Sequence, residues 1–401
     1  MPSRPARSAV PMCDLSRQSS MNQRPTKLSM KVLHITTGRV LYAGQRRQLE
    51  FEVDAAERAK LPWRTVVLHT ESSQNFFEIQ IPMFFRSRLL VRAYGWLYAI
   101  RHWRDYDLVL FRDMQLDLFG PLLGLFVPNR VTIHHAKEIE ELAILRGGGL
   151  FSQMAVFVER HIKPLTMKSA RGLAGVTEEI RNYETSRFPH LEDHALVIPN
   201  GFNFHRSSVA LNLRKPNQFD FVFVCAEFST WHGLDRLLSA IEAHGTPLGR
   251  AITIHLVGRL TDLQRNMLDS SEVEGVTFVR YGTLSPAETS TVLAECHVAI
   301  GSLALDRKGL TEAGTLKVRE YLAAGLPVYA THKDASIPKD FPYYMNDQDG
   351  VSIENIVRFA EQSEGLSRET VREASKLYLD KEKIMISTLS QLEQMFPSRV
   401  G

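Results

Sequence analysis

The sequence predicts an α/β protein of two Rossmann-like domains, each built on a parallel sheet. Three observations predict it. The chain has 401 residues, enough for two domains of ordinary size. Its apolar runs are short and continuous, as in Val32–Ile35, Leu108–Phe111, Phe219–Ala226 and Ile252–Gly258. Continuous rather than alternating hydrophobicity marks strands buried on both faces, as in parallel sheets. Third, residues 297–334 read strand, loop, helix, strand: Val298-Ala299-Ile300, a charged loop, an amphipathic stretch Leu316–Ala324, then Val328-Tyr329-Ala330. Gly325 and Pro327 end that helix, because glycine tolerates the left-handed turn and proline cannot continue it.

Composition narrows the class. Hydrophobic residues are 44% and charged residues 23% of the chain, which suits a globular protein with sizeable cores. A net charge of +3 gives no ground for a nucleic-acid partner, so any basic surface is local. Cys13, Cys225 and Cys296 have neither metal-ligand spacing nor a disulfide framework, and the last two read as buried thiols of a reducing compartment. No apolar run approaches the roughly 20 residues of a membrane span, and the N-terminus lacks a signal-peptide core. A cytoplasmic protein is expected.

In chain order, residues 1–29 are rich in Ser, Arg, Pro and Gln without hydrophobic period and read as a disordered extension. Residues 30–197 are expected to form the first domain. Its strands are Lys31–Thr37, Thr65–His69, Leu108–Phe111, Arg130–Ile133 and the run at Gly172–Thr177, with a helix from Gln45 to about Lys60. Gly38 and Gly44 lack the Gly-x-Gly-x-x-Gly spacing of a dinucleotide loop. His134 and His135 stand at the end of the fourth strand, where parallel sheets face ligands. No Asp, Glu or Cys set at useful spacing accompanies them, so no metal is expected. Residues 198–375 form the second domain. The pattern from Ser367 to Phe396 is helical, and residues 376–401 are expected to pack back on the first domain.

The loop of the organising stretch offers phosphate chemistry. Gly314, Thr315 and Leu316 open the helix, where unpaired amides and the dipole's positive end attract anions. Lys317 lies in the first turn, and Arg307 and Lys308 precede it. Glu320 leans toward the same end and, as a carboxylate, would accept hydrogen bonds from a sugar diol. Cations and amides for phosphate with a carboxylate for ribose describe a nucleotide.

Here the sequence resembles a family. Glu312 and Glu320 are separated by seven residues, and Glu320-Tyr321-Leu322-Ala323-Ala324-Gly325-Leu326-Pro327-Val328 follows. This is similar to the Glu-x7-Glu signature of retaining GT-B glycosyltransferases, in particular the large bacterial polysaccharide and glycolipid family 4 (glycosyl transferases group 1). The resemblance covers about residues 30–395. It implies the GT-B fold and transfer of a sugar from a nucleotide diphosphate-sugar donor to a sugar or lipid-linked acceptor, without a cofactor. It also implies that His134 lies near the transferred sugar, that Glu312 reaches a hydroxyl of that sugar, and that Tyr281 lies beside the base. The family's Gly-Arg pair and Lys-Gly read here as Ala226-Glu227-Phe228 and His232-Gly233, so both diphosphate cations are missing. Arg307 and Lys308 are the expected replacements. A nucleotide-sugar epimerase of the same fold and a non-catalytic, membrane-associated relative are the rival readings.

Two acidic triplets and one arginine-rich segment stand outside this resemblance. Asp105-Tyr106-Asp107 and Asp347-Gln348-Asp349 resemble metal-binding triplets but sit before a strand and in a turn, so they read as solvated ends. Residues 79–104 contain no acidic residue and mix Arg86, Arg88, Arg92, Arg101 and Arg104 with Phe84, Phe85, Trp96 and Trp103. That mixture suits either an interfacial helix on anionic lipid or a core-packing helix with exposed arginines. An anionic membrane surface is therefore an expected partner of one of these readings.

Overall fold

The computed structural model describes residues 28–397 apart from 74, 146–148, 245–248 and 272. The expectations for residues 1–27, Cys13 included, lie outside the described residues. Fifteen strands are described: β1 (Val32–Thr37), β2 (Trp63–His69), β3 (Glu78–Gln80), β4 (Leu108–Arg112), β5 (Arg130–His134), β6 (Gly172–Gly175), β7 (Ala195–Val197), β8 (Gln218–Glu227), β9 (Ala251–Arg259), β10 (Val276–Gly282), β11 (Val298–Ile300), β12 (Glu312–Ala313), β13 (Val328–Ala330), β14 (Lys333–Asp334) and β15 (Tyr344–Asn346). They form a seven-stranded parallel sheet ordered β3-β2-β1-β4-β5-β6-β7 and a six-stranded parallel sheet ordered β10-β9-β8-β11-β13-β15. A small parallel pair, β12 with β14, stands apart. The architecture is α/β with two Rossmann-like domains, as in GT-B proteins.

Strand order locates the ligand crevices. Chain direction reverses between β1 and β4 in the first sheet and between β8 and β11 in the second. Crossover connections leave opposite faces there, so a crevice opens beyond the strands' C-terminal ends. In the second sheet, Gly258 has φ +129°, and a Cβ there would fall 1.7 Å from the Cys225 carbonyl oxygen. Only glycine lets the ends of β8 and β9 approach so closely.

Burial follows the predicted strands. Phe219, Phe221, Phe223, Ile254, Leu256, Val298 and Ile300 form one core under the second sheet with the helices Leu234–His244 and Ile353–Ser363. Val32, Leu108, Leu110, Val131 and Ala174 form a core of the first sheet, shared with Leu389, Leu392 and Phe396 of the chain's end. The helix Lys381–Met395 thus packs on the first domain, where Met385 also meets Ala55 and Ala56. The expected single helical run over 367–396 is two helices, Arg368–Leu379 and Lys381–Met395. Asp380 separates them, its carboxylate accepting the Glu382 amide. Phe202 also bridges the break, donating to the Leu379 carbonyl and accepting from the Lys381 amide.

The arginine-rich segment divides. In the helix Leu90–His102, Val91, Ala93, Trp96 and Ala99 are buried. Trp96 stacks on Phe111 with ring centroids 4.5 Å apart and donates to Asp117 at 2.7 Å. Just before it, Met83 and Phe84 are 82% and 78% exposed. No helix among the described residues is long and apolar enough to cross a membrane.

Candidate functional site

The helix Leu316–Ala323 begins at Thr315, whose side chain makes no capping bond and whose buried hydroxyl has no partner. Its first amides are therefore left for a ligand. Arg319 holds this end in place. Its guanidinium pairs with Asp334, both side chains being fully buried, and donates to the carbonyls of Thr315 and Asn200 at 3.2 Å each. Asn200 in turn donates to the Gly314 carbonyl at 3.0 Å. The domain junction thus grips the loop before the helix. Lys317 lies at the second sheet's crevice, with Nζ 3.1 Å from Cys225 Sγ near the end of β8 and 5.2 Å from the Phe223 ring centroid. Neither contact neutralises its charge.

Glu320 reaches across the cleft and accepts from Arg47, on the first domain's helix Ala43–Arg58. Burial raises the pKa of its carboxyl, and Arg47 opposes that shift. A cavity of about 310 Å³ lies at this junction, lined by Gly314, Thr315, Leu316, Gln48, Asn200 and Arg112, among others. Gly314, Thr315 and Leu316 line this cavity, and Lys317 and Glu320 follow within the next turn of the same helix.

Other predicted residues are placed differently. Arg307 is held by Asp235, at 2.9 Å for one of its two contacts, and donates to the Thr230 carbonyl. Lys308 lies 3.4 Å from Glu141 and 4.5 Å from the Trp231 ring centroid. Both expected replacement cations are therefore already neutralised, and Lys317 is the cation left at this end. His232 does not stand in for the missing lysine. Burial, with Lys317 and Lys308 nearby, pushes its pKa down to about 3, so the ring is neutral.

Tyr281 is the penultimate residue of β10. Its hydroxyl lies 2.8 Å from His255 Nδ1 in the middle of β9, and the other nitrogen of His255 meets Asp220, the third residue of β8, at 3.0 Å.

Glu312 is 4% exposed and does not line the junction cavity. Its carboxylate accepts the Glu179 amide at 2.8 Å, and the Glu179 carboxylate accepts the amides of Thr311 and Glu312 at 2.9 and 2.8 Å. Lys137 supports the exchange, donating to Glu179 at 2.7 Å and to the Gly309 carbonyl at 2.9 Å. The two glutamates form a reciprocal latch between the domains, because each occupies the other's free amides. In this arrangement one Glu312 oxygen faces Glu179, and the other lies 3.2 Å from Lys333 Nζ.

The place of His134 follows from strand parity. Ile133 and His135 share the face that lines the junction cavity, since alternate residues of a strand face opposite sides. His134 points the other way and is fully buried, 3.6 Å from Glu138 and 3.7 Å from Glu184. Burial opposes its charge, but Glu184, Asp113 and Glu138 outweigh that and push its pKa up to about 9. Asp113, His134 and Glu138 bring their ligand atoms within 4.8 Å of one another. Lys163 occupies Asp113 at 2.6 Å and Arg187 lies near Glu138 and Glu184, so the group is a buried ion network. Sequence reasoning missed Arg47, Arg112, Asn200 and Arg319. No local period marks them, because each acts from a different element.

No protein-family description matches the sequence, and no curated protein is significantly similar to it. Solved structures are similar in fold. The apo form of the lipopolysaccharide outer core galactosyltransferase WaaB matches over 91% of this chain and all of its own, at 10% identity and TM-score 0.60. An α-glucosyltransferase in complex with UDP and a 13-mer DNA matches over 90% and 99%, at 11% identity and TM-score 0.56. WaaG, a glycosyltransferase involved in lipopolysaccharide biosynthesis, matches over 92% and 96%, at 16% identity and TM-score 0.50. At these identities the likeness is one of fold, and the fold they share with this chain is GT-B.

Proposed function

We propose that the protein transfers a sugar from a nucleoside diphosphate-sugar to a hydroxyl acceptor, with retention at the anomeric carbon, in polysaccharide or glycolipid assembly. One observation carries the reading. The uncapped start of the helix Leu316–Ala323, the charge of Lys317 beside Cys225 and the carboxylate of Glu320 opposite Arg47 lie within two turns of one helix at the domain junction. Amides and Lys317 suit the diphosphate, and Glu320 suits the ribose diol once the nucleotide displaces Arg47. The WaaB and UDP-complex neighbours are sugar transferases of the same fold.

In the step, the bond between the anomeric carbon and the diphosphate oxygen breaks. The acceptor oxygen bonds to that carbon from the same face, and its proton passes to the departing phosphate oxygen. The protein's part is to stabilise charge building on the leaving diphosphate with dipoles and cations already in place. Glu312 would meet the donor sugar only on leaving the Glu179 amide, so domain movement and donor engagement are linked.

The test is mass spectrometry of products from a panel of UDP-sugars with and without sugar acceptors. Transfer or slow hydrolysis supports the proposal. Interconversion of the sugar nucleotide without an acceptor supports the epimerase, and absence of both turnover and UDP binding supports a non-catalytic relative. A lipid-linked acceptor is supported by exposed Met83 and Phe84 beside Arg86 and Arg88. Flotation with anionic vesicles that weakens with salt, and is lost in Arg86→Glu/Arg88→Glu, checks that part. Equal binding to neutral vesicles contradicts it.

A further inference from the structure

The larger cavity, about 1110 Å³, lies wholly in the first domain at the β1–β4 crevice. Its charges are unequal in a specific way. Each lining acid has a basic partner: Asp113 has Lys163, Glu138 has His134 and Arg187, and Glu141 has Lys308. Among the described residues, lining Arg39, Arg88 and Arg112 have no carboxylate in salt-bridge contact. The cavity therefore presents uncompensated positive charge.

Arg112 is the sharpest case. It ends β4 at the point where strand order reverses, and it lines both this cavity and the junction cavity that reaches Gly314. Burial pushes its pKa down to about 10, although Asp113 and Glu138 oppose the shift. Arg112 is half-buried with no carboxylate in salt-bridge contact among the described residues, and withdrawing a charge from water unpaired is costly, so a ligand that supplies the anion would be favoured. His135 lines the same two cavities, and its Nε2 is buried with no hydrogen-bond partner. Burial and the neighbouring Arg112 hold its pKa well below the usual range. A neutral imidazole can hydrogen-bond a ligand without adding charge.

We propose that Arg112 and His135 form an acceptor-side subsite for a phosphate group, so that the acceptor is a phosphorylated saccharide with its reacting hydroxyl toward the junction. A guanidinium binds phosphate through paired, charge-assisted hydrogen bonds. Arg39 and Arg88 extend the positive wall toward the mouth. This rests on the transferase reading, and it is separable from it because the donor's cations lie on the other domain.

The experiment is calorimetry on the full chain, first with UDP and then with glucose 6-phosphate or glucose added to the UDP-saturated protein. The expected result is binding of glucose 6-phosphate but not glucose. That binding falls about ten-fold or more in Arg112→Gln, as loss of a charge-assisted contact implies, and partly recovers in Arg112→Lys. Because Arg112 also lines the junction cavity, UDP affinity is measured in both variants and is expected to fall by much less than glucose 6-phosphate affinity. Failure of UDP to bind the parent protein would remove the transferase reading itself. If UDP binds but Arg112→Gln weakens it as much as it weakens glucose 6-phosphate, the arginine serves the donor and the subsite is refuted. Absence of glucose 6-phosphate binding to the UDP-bound parent refutes it equally, as does equal binding of glucose.

Discussion

The cleft's two walls are built in opposite ways. The second-domain wall is one stretch of chain, in which loop, helix start and Glu320 follow within a few turns. Its nearby basic side chains are mostly committed: Arg319 to Asp334, Arg307 to Asp235, Lys308 to Glu141, with Lys317 left over. The first-domain wall is assembled from separate strand ends, and there Arg39, Arg88 and Arg112 keep their charge unpaired while the acids are paired. One wall spends its ion pairs on holding a helix terminus still, and the other leaves cations open to ligand. A rigid anion site made of amides needs fixed geometry. A site made of guanidinium groups carries its specificity in the side chains.

That difference can be broken at its strongest point first. Arg319→Leu leaves Asp334 buried without its partner, and a loss of about 3–5 kcal/mol is expected. Urea denaturation checks it, and a change below about 1 kcal/mol would mean that the pair does not fix the helix start. The latch comes next. Glu179→Gln keeps the side chain's shape but weakens two charge-assisted bonds to the Thr311 and Glu312 amides, and about 1–3 kcal/mol should be lost. If the latch also gates the cleft, this variant should show faster domain opening by hydrogen exchange at 309–313, with the core strands unchanged.

The buried network under the first wall gives a pH signature. His134 has its pKa raised to about 9 from 6.5. A raised folded-state value means its contribution is complete below pH 6.5 and is lost as pH rises through about 9. The parent should therefore lose stability across that window by more than His134→Gln does. Equal slopes would show that His134 is neutral in the fold. Smallest of all is Arg307→Ala. Arg307 and Asp235 are a third to two-fifths exposed, so about 0–1 kcal/mol is expected, with UDP affinity within about two-fold. A large loss of UDP affinity would restore Arg307 as a diphosphate ligand.

What was legible in the sequence follows the same division. The second-domain wall could be read because its function is contiguous: Gly314 to Pro327 carries the helix start, the carboxylate and the stop signal in order. The strands were legible because parallel sheets need unbroken apolar runs, and Val32–Ile35 and Phe219–Ala226 supply them. The first-domain wall was not. Arg112, His135 and Arg47 meet only when β4, β5 and the helix Ala43–Arg58 are folded together. The parity of β5, which turns His135 and not His134 toward the cavity, has no mark in the sequence. Nor do the carboxylate partners of Arg307 and Lys308, since Asp235 and Glu141 lie far away along the chain.

The central claim is that the second-domain wall holds a nucleoside diphosphate, with Glu320 on the ribose. Calorimetric titration of UDP into the parent, Glu320→Gln and Glu312→Gln tests it most directly. A carboxylate accepting hydrogen bonds from a diol is worth about 1.5–3 kcal/mol, so Glu320→Gln should weaken UDP by roughly ten-fold or more. Glu312→Gln should leave UDP affinity nearly intact, because its carboxylate faces Glu179. UDP affinity unchanged in Glu320→Gln, or lost in Glu312→Gln alone, would contradict the account.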